Sequence, residues 1–421
     1  MGILFYNKHE KTTMFKTIIH QVLIRRHFWR HATFSEIAEL YASRVLRMLA
    51  LNIASSFMSI FLYQHGYSIA FIALFWAAFY LFKSIIAIPA AAIAARVGAK
   101  HAILISNLLY IPSMIAFTLL PELGPWVLPA VIVFQASSAA MYSIGYSIDF
   151  SKVKSTEHAG KEIAFMNIVE KITTGLSPLI GGVIALFFGP QVVLLIAAVL
   201  FGVAAAPLLR TGEQESPHQK LDFKGLPWHL VRPNAIAQVA LGFDVFASGT
   251  VWTLFTAVFI IGVATTNEVY ALNGALLSVV LFAALGASYT YGKLIDRSKG
   301  GELLRLASIC NALTHAVRAF ITTPVSVAVL NVANEAATTG YSMAYTRGLF
   351  DNADLSGRRT TYLGIMEVLS NFGAAVASLI LYVLVSCFSD HLAIQVFFFI
   401  AAGFVLLITT AKFALYKNMR A

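Results

Sequence analysis

Twelve times along this 421-residue chain an apolar stretch closes at a short polar break, and each stretch runs to about twenty residues, enough to cross the roughly 30 Å hydrocarbon core of a bilayer as a helix. The stretches lie near 42–63, 69–94, 101–120, 126–147, 162–187, 191–209, 235–263, 269–292, 303–321, 325–346, 360–386 and 392–415. Hydrocarbon offers backbone N–H and C=O groups no partner, so each segment must satisfy its own. The expected fold is therefore an all-α membrane protein. Composition agrees: 58% of residues are apolar and 12% charged, about half the charged share of a soluble domain.

The net charge of +10 would suit a nucleic-acid partner if it were gathered on one surface. It is distributed by loop instead. Arg96 and Lys100; Lys152, Lys154 and Lys161; Arg210, Lys220, Lys224 and Arg232; Lys293, Arg297 and Lys299; and Arg347, Arg358 and Arg359 occupy alternate connections. The intervening turns at 64–68, 121–125, 188–190, 264–268, 322–324 and 387–391 hold no Lys or Arg. Short cytoplasmic loops collect these residues, which predicts a multi-pass plasma (inner) membrane protein with both termini in the cytoplasm. One missed or invented helix would reverse the pattern downstream, and no reversal occurs.

Residues 1–35 form a basic segment unlike a cleavable secretory signal. Phe15, Ile18, Ile19, Val22 and Leu23 stand at helical spacing among basic residues, so the segment either lies on the inner leaflet or is disordered. Thr33 with Glu36 resembles a capping box. Arg44 and Arg47 are expected to snorkel from the first span toward water, and Arg318 likewise from the ninth.

An internal repeat has a period of about 200 residues. Ala91 to Lys100 after the second span corresponds to Gly292-Lys-Leu-Ile-Asp296-Arg297 after the eighth. Gly160-Lys161 followed by Phe165 to Glu170 corresponds to Gly357-Arg358 followed by Tyr362 to Glu367. Two pseudo-symmetric six-helix bundles follow, over 36–210 and 235–421, joined by a cytoplasmic linker at 211–234.

On these residues the chain resembles the major facilitator superfamily. The family's loop after the second and eighth helices reads Gly, three residues, Asp-Arg, then Gly and basic residues. Gly292, Asp296 and Arg297 match in the second copy; Arg96, Gly98 and Lys100 match in the first, with Ala91 and Ala95 in place of Gly and Asp. The resemblance implies a gate joining the bundles on the cytoplasmic side. Thr173 to Gly182, with Pro178, Gly181 and Gly182, is similar to the fifth-helix signature of proton-driven antiporters, although Thr173 and Ser177 replace Gly and the fourth helix lacks an Arg near Gln135. Physically, Pro and Gly permit a bend and close helix approach.

Ionisable groups inside spans are costly and face a cavity or a partner. Glu335, Asp244, Lys83, Glu170 and Glu367 are such groups. The resemblance places helices one, four, seven and ten around a central cavity, which makes Glu335 and Asp244 the leading candidates for substrate or proton contact. Glu170 and Glu367 recur in matching places, which favours a structural role. Lys83 pairs with a carboxylate on a nearby helix or contacts the solute. Asn52, Asn331 and Asn334 either bind solute or bond between helices. Tyr142, Tyr146, Tyr341 and Tyr345 line the cavity or anchor at the interface.

No His-Glu-x-x-His motif or glycine-rich nucleotide loop occurs, and Cys310 and Cys387 are isolated in apolar segments. The expectation is a non-enzyme without cofactor or metal, working in the lipid bilayer as a monomer on a small-molecule substrate, with protons as the coupling ion and no nucleic-acid partner. The function expected first is secondary active transport by alternating access in the direction of proton-coupled efflux. Uptake of a small polar metabolite is the second expectation, and a lipid-moving or assembly-partner role on the same scaffold is the third.

Overall fold

A computed structural model describes residues 34–54, 57–153, 159–209, 220–262, 266–297 and 299–417; the side chains of 34–41, 149–153, 159–167 and 417 are outside that description. The basic segment 1–33, with Thr33 of the expected capping box, and linker residues 210–219 also lie outside it.

Each expected span finds a helix. The first bundle holds α1 (Phe34–Ala54, resuming at Met58–Gln64), α2 (Ile69–Val97), α3 (Ala99–Thr118), α4 (Leu128–Val153), α5 (Ala159–Phe188) and α6 (Pro190–Ala205). The second holds α7 (Trp228–Val245, continued through Phe246–Val251, Trp252–Phe255 and Thr256–Ile261), α8 (Glu268–Ser278 and Leu281–Asp296), α9 (Gly300–Arg318), α10 (Pro324–Leu355), α11 (Arg359–Cys387) and α12 (Asp390–Leu406).

Local chemistry sets several of these boundaries. The Ser68 hydroxyl accepts from the Phe71 N–H at 3.2 Å and opens α2. Gly98, at φ +94°, closes α2 and turns the chain into α3, a conformation that favours a residue without Cβ. Thr323 and Ser326 cap α10 reciprocally, with Pro324 at its first position. α7 starts at Trp228, inside the segment read as linker, because Asn234 is buried and tied down: its Oδ1 accepts from the Lys412 N–H at 2.8 Å.

Among the described residues, ten helices are long and apolar enough to span a membrane on length and composition. α9 and α10 fall short because they carry Asn311, His315, Arg318, Asn331, Asn334 and Glu335. Most of these polar groups are turned inward: Asn311, His315, Arg318 and Asn331 are buried.

The bundles meet along two seams. α2 lies against α11: Ser378 Oγ donates to Ala73 O and Ser84 Oγ to Val368 O, each at 3.0 Å. Farther along, a Cβ on Gly364 would stand 3.1 Å from the Ala91 Cβ. Ala91 occupies the position where the family pattern has Gly, and the small residue the crossing needs is supplied by α11 instead. At the other seam, α5 crosses α8, where a Cβ on Gly182 would strike the Tyr270 carbonyl and one on Gly274 the Pro178 carbonyl. Toward the basic-loop end, Ala91, Ile144, Phe350, Leu363 and Met366 from four helices join Leu226 of the linker in one buried apolar plug.

Candidate functional site

Above this plug lies a cavity of about 540 Å³ between the bundles, walled by residues of α1–α4, α7, α8 and α11. α10 supplies none of its described lining residues. Glu335 and Asp244, the leading sequence candidates, are not among those residues either.

The cavity's carboxylate is Glu367. Its Oε1 lies 3.1 Å from Lys83 Nζ, an ion pair that joins α2 of one bundle to α11 of the other. Ser143 Oγ of α4 donates to Oε2 at 2.7 Å, and Asn371 Nδ2, one turn along α11, donates to Oε1 at 2.9 Å. Lys83 thus has the carboxylate partner its burial requires, and all four residues line the cavity.

Glu170 occupies the matching place in the first bundle and is used differently. It receives Arg44 Nη2 at 2.6 Å, a pair wholly inside that bundle. Arg44 is held by this pair and by stacking 3.4 Å over the Tyr146 ring, so it does not snorkel as expected. Glu335 accepts from Lys171 Nζ of α5 at 2.7 Å and from Thr339 Oγ1 at 2.9 Å, a second ion pair between the bundles but away from the cavity wall.

Asp244 is the centre of a buried network in the second bundle. It receives His315 Nε2 at 2.6 Å, Ser248 Oγ at 2.9 Å and the Tyr341 hydroxyl. Arg318 Nη1 donates to His315 Nδ1 at 3.0 Å, and Nη2 to Asn334 Oδ1 at 2.9 Å. A guanidinium has only donors, so His315 Nδ1 must accept and Nε2 must carry the proton shared with Asp244. The ring is the neutral tautomer, and the charges that balance are those of Arg318 and Asp244. Arg318 is 1% exposed, which corrects the expectation that it reaches the surface.

Arg47 is also 1% exposed, another departure from snorkelling. α1 begins at Phe34, more than three turns before it, so Arg47 sits deep in the bundle and forms part of the cavity wall. Its guanidinium meets Asn107 Oδ1 at 2.5 Å, Ser106 Oγ at 3.2 Å and Ser138 Oγ at 3.3 Å, and lies 3.9 Å from the Tyr142 ring centre.

Asn52 lines the cavity and donates to Met48 O at 2.8 Å. Asn331 bonds between helices instead, accepting from Trp252 Nε1 at 2.7 Å and donating to Leu276 O at 3.0 Å. Tyr142 lines the cavity, whereas Tyr345 is buried against Phe413. In the loop repeat, Gly98 and Lys100 are buried and Arg96 exposed at the α2–α3 turn; Gly292 is buried, with Asp296 and Arg297 ending α8. Pro178 lies within α5, Gly181 faces Ile53 of α1 with a Cβ approach of 2.8 Å to its carbonyl, and Gly182 faces α8. This motif therefore packs α5 against both neighbours.

Sequence reasoning missed the stretch Ser248-Gly249-Thr250 and Thr253, all of which line the cavity from α7. There the backbone widens into π-helical turns over Phe246–Val251 and Thr256–Ile261, a geometry frequent at functional sites. The cluster of small and hydroxylated residues in an apolar span was the signal available.

The family sequence model described as Major Facilitator Superfamily matches residues 40–353. A search of curated protein sequences finds no match. Among solved structures, the chain is similar to the Major Facilitator Superfamily transporter FucP in its outward conformation (TM-score 0.62, 15% identity, 91% of this chain and 98% of that one). It is also similar to the human organic anion transporter MFSD10 (TM-score 0.65, 12% identity, 90% and 99%) and to the nucleoside transporter NupG (TM-score 0.64, 15% identity, 91% and 99%). At these identities the likeness shows the fold, and the family match supplies membership. With that match running from α1 through most of α10, and a twelve-helix architecture shared along nearly the whole chain, this protein belongs to the Major Facilitator Superfamily of membrane transporters.

Proposed function

We propose that the protein carries a small polar solute inward across the plasma membrane by alternating access, with protons coupled through Lys83 and Glu367. The observation that carries this reading is the ion pair itself. Among the described residues of the cavity wall Glu367 is the one acid, and its partner comes from the opposite bundle. A solute that takes over the Lys83 contact leaves the half-buried Glu367 without its cation, which favours uptake of a proton. Release of solute lets the pair re-form and returns the proton on the other side. The bundles then rock about the cavity, with the basic loops and both termini cytoplasmic and the linker at 211–234 joining the halves.

The wall favours a polar cargo over a lipophilic cation. Gln135, Asn371, Ser143 and Thr250 offer hydrogen bonds beside the rings of Trp76 and Tyr80, and the carboxylate is already compensated by Lys83. One similar structure is described as a fucose:proton symporter from E. coli and another as a nucleoside transporter, which supports polar solutes and, from the symporter, movement together with protons.

The test is flux in reconstituted vesicles with an imposed pH gradient, over sugars, nucleosides, amino acids and organic acids. The expected result is accumulation driven by protons on the outside, while Glu367→Gln keeps solute exchange but no longer responds to the gradient. A gradient response unchanged in that variant would remove Glu367 from coupling. Accumulation against an opposing proton flow would restore the efflux expectation.

A further inference from the structure

Within the spans, the half-buried cations are answered by acids at Arg44 with Glu170, Lys83 with Glu367 and Lys171 with Glu335. Arg318 is answered by Asp244 through His315 and Ser248. Arg47 breaks this rule. Among the described residues its guanidinium meets only neutral groups, the Ser106 and Ser138 hydroxyls and the Asn107 amide oxygen, with the Tyr142 ring across its face. Its Nε has no hydrogen-bond partner, which is equally true of Arg44 and Arg318, so what sets Arg47 apart is the missing acid. It is also the buried arginine that forms part of the cavity wall.

A charge buried without a counter-ion is retained against a large desolvation cost and makes the space beside it positive. With Lys83 and Glu367 cancelling each other, the wall keeps one net positive charge before any solute arrives. We infer that the transported solute is a small organic anion, a carboxylate or similar oxyanion on a polar or ring-bearing body, and that the uncompensated charge of Arg47 selects it.

This inference rests on the cavity being the transport site. An anion drawn into it is neutralised by the field of Arg47 and contacts Lys83, displacing Glu367 as the partner of that ammonium. A neutral solute gains no charge pairing from Arg47, and a cationic one is opposed by it. A unit charge in such a wall, at an effective dielectric constant of about 20, changes affinity by roughly tenfold or more.

The experiment measures thermal stabilisation of the full-length purified protein, and flux in vesicles, for matched pairs differing in one charge: glucuronate and glucose, lactate and lactamide, benzoate and benzamide, with choline as the cation. At least one carboxylate is expected to stabilise the protein and to be moved, with its neutral isostere about tenfold weaker or worse. Ser138→Asp, which sets a carboxylate beside Arg47 while keeping the arginine paired, is expected to erase that preference. Arg47→Lys is expected to keep it. Equal or better binding by neutral or cationic members, or an anion preference unchanged in Ser138→Asp, overturns the charge inference and leaves the transport reading standing. Absence of binding and flux for solutes of every charge, in protein that remains folded, overturns both.

Discussion

Each bundle buries an arginine to the same degree and solves the problem differently. In the second bundle Arg318 is linked through His315 and Ser248 to Asp244, so the site is neutral overall. In the first, Arg47 is held by two hydroxyls, an amide and an aromatic face, and the charge is left standing. Hydrogen bonds hold the terminal nitrogens of the guanidinium in both places and leave its Nε unpartnered in both, but an acid alone cancels its field. The neutral site reaches the cavity wall only through the Ser248 hydroxyl, with Arg318, His315 and Asp244 packed behind it, whereas Arg47 itself is in that wall. Compensation here follows location, with the uncompensated charge kept where a solute can use it.

The hardest way to break this contrast is to take the acid from the compensated site. Asp244→Asn leaves Arg318 charged, buried and without a carboxylate, and is expected to cost about 3–5 kcal/mol of stability. The check is thermal unfolding of the purified protein. A loss below about 1 kcal/mol would mean that neutral partners suffice for Arg318 as they do for Arg47, and the contrast would vanish.

Arg47→Gln removes a charge whose partners are neutral, so the expected loss is smaller, about 1–3 kcal/mol from stranded hydrogen-bonding groups. Measured beside Asp244→Asn, an equal or larger loss would identify Arg47 as mainly a packing element. The repeated glutamates sharpen the point, because each is partly reached by solvent and each neutralisation is expected to cost about 1–2 kcal/mol. Glu170→Gln should leave the pH dependence of flux intact, while Glu367→Gln should abolish it; identical transport phenotypes would return both residues to one shared role. The smallest effect belongs to the exposed Asp222–Arg358 pair, 2.7 Å apart, where Arg358→Ala should change stability by about 0–1 kcal/mol. A larger shift in melting there would show that the linker contact stabilises the whole assembly.

The twelve helices were legible because length and hydropathy are one-dimensional properties, and the alternation of basic loops checked their number. Lys83 was legible in part: its burial called for a carboxylate, though only the fold selects Glu367 over Glu335 or Asp244. The repeat suggested one role for Glu170 and Glu367, yet the two face different neighbours, since a seam between bundles has no counterpart inside one bundle. Arg47 and Arg318 were misjudged because distance from a span's end was read as depth. The helix of Arg47 begins more than three turns before it, and both side chains turn toward polar groups on neighbouring helices. Helix faces are not recoverable from periodicity when nearly every face is apolar, which is why the absence of α10 from the described lining of this cavity was not legible.

Leu226 is part of the apolar plug at the basic-loop end, and the backbone before it is fastened by Asp222, whose N–H reaches Thr361 Oγ1 at 3.3 Å and whose carboxylate holds Arg358. The strand joining the bundles is thus one of the bolts of that door as well as its tether. In the alternating-access cycle proposed above, opening this end requires Leu226 to leave its seat and the Asp222 fastening to slip. Substitutions in this surface connection would therefore change how long the cargo waits facing one side, with no change to the chamber that recognises it.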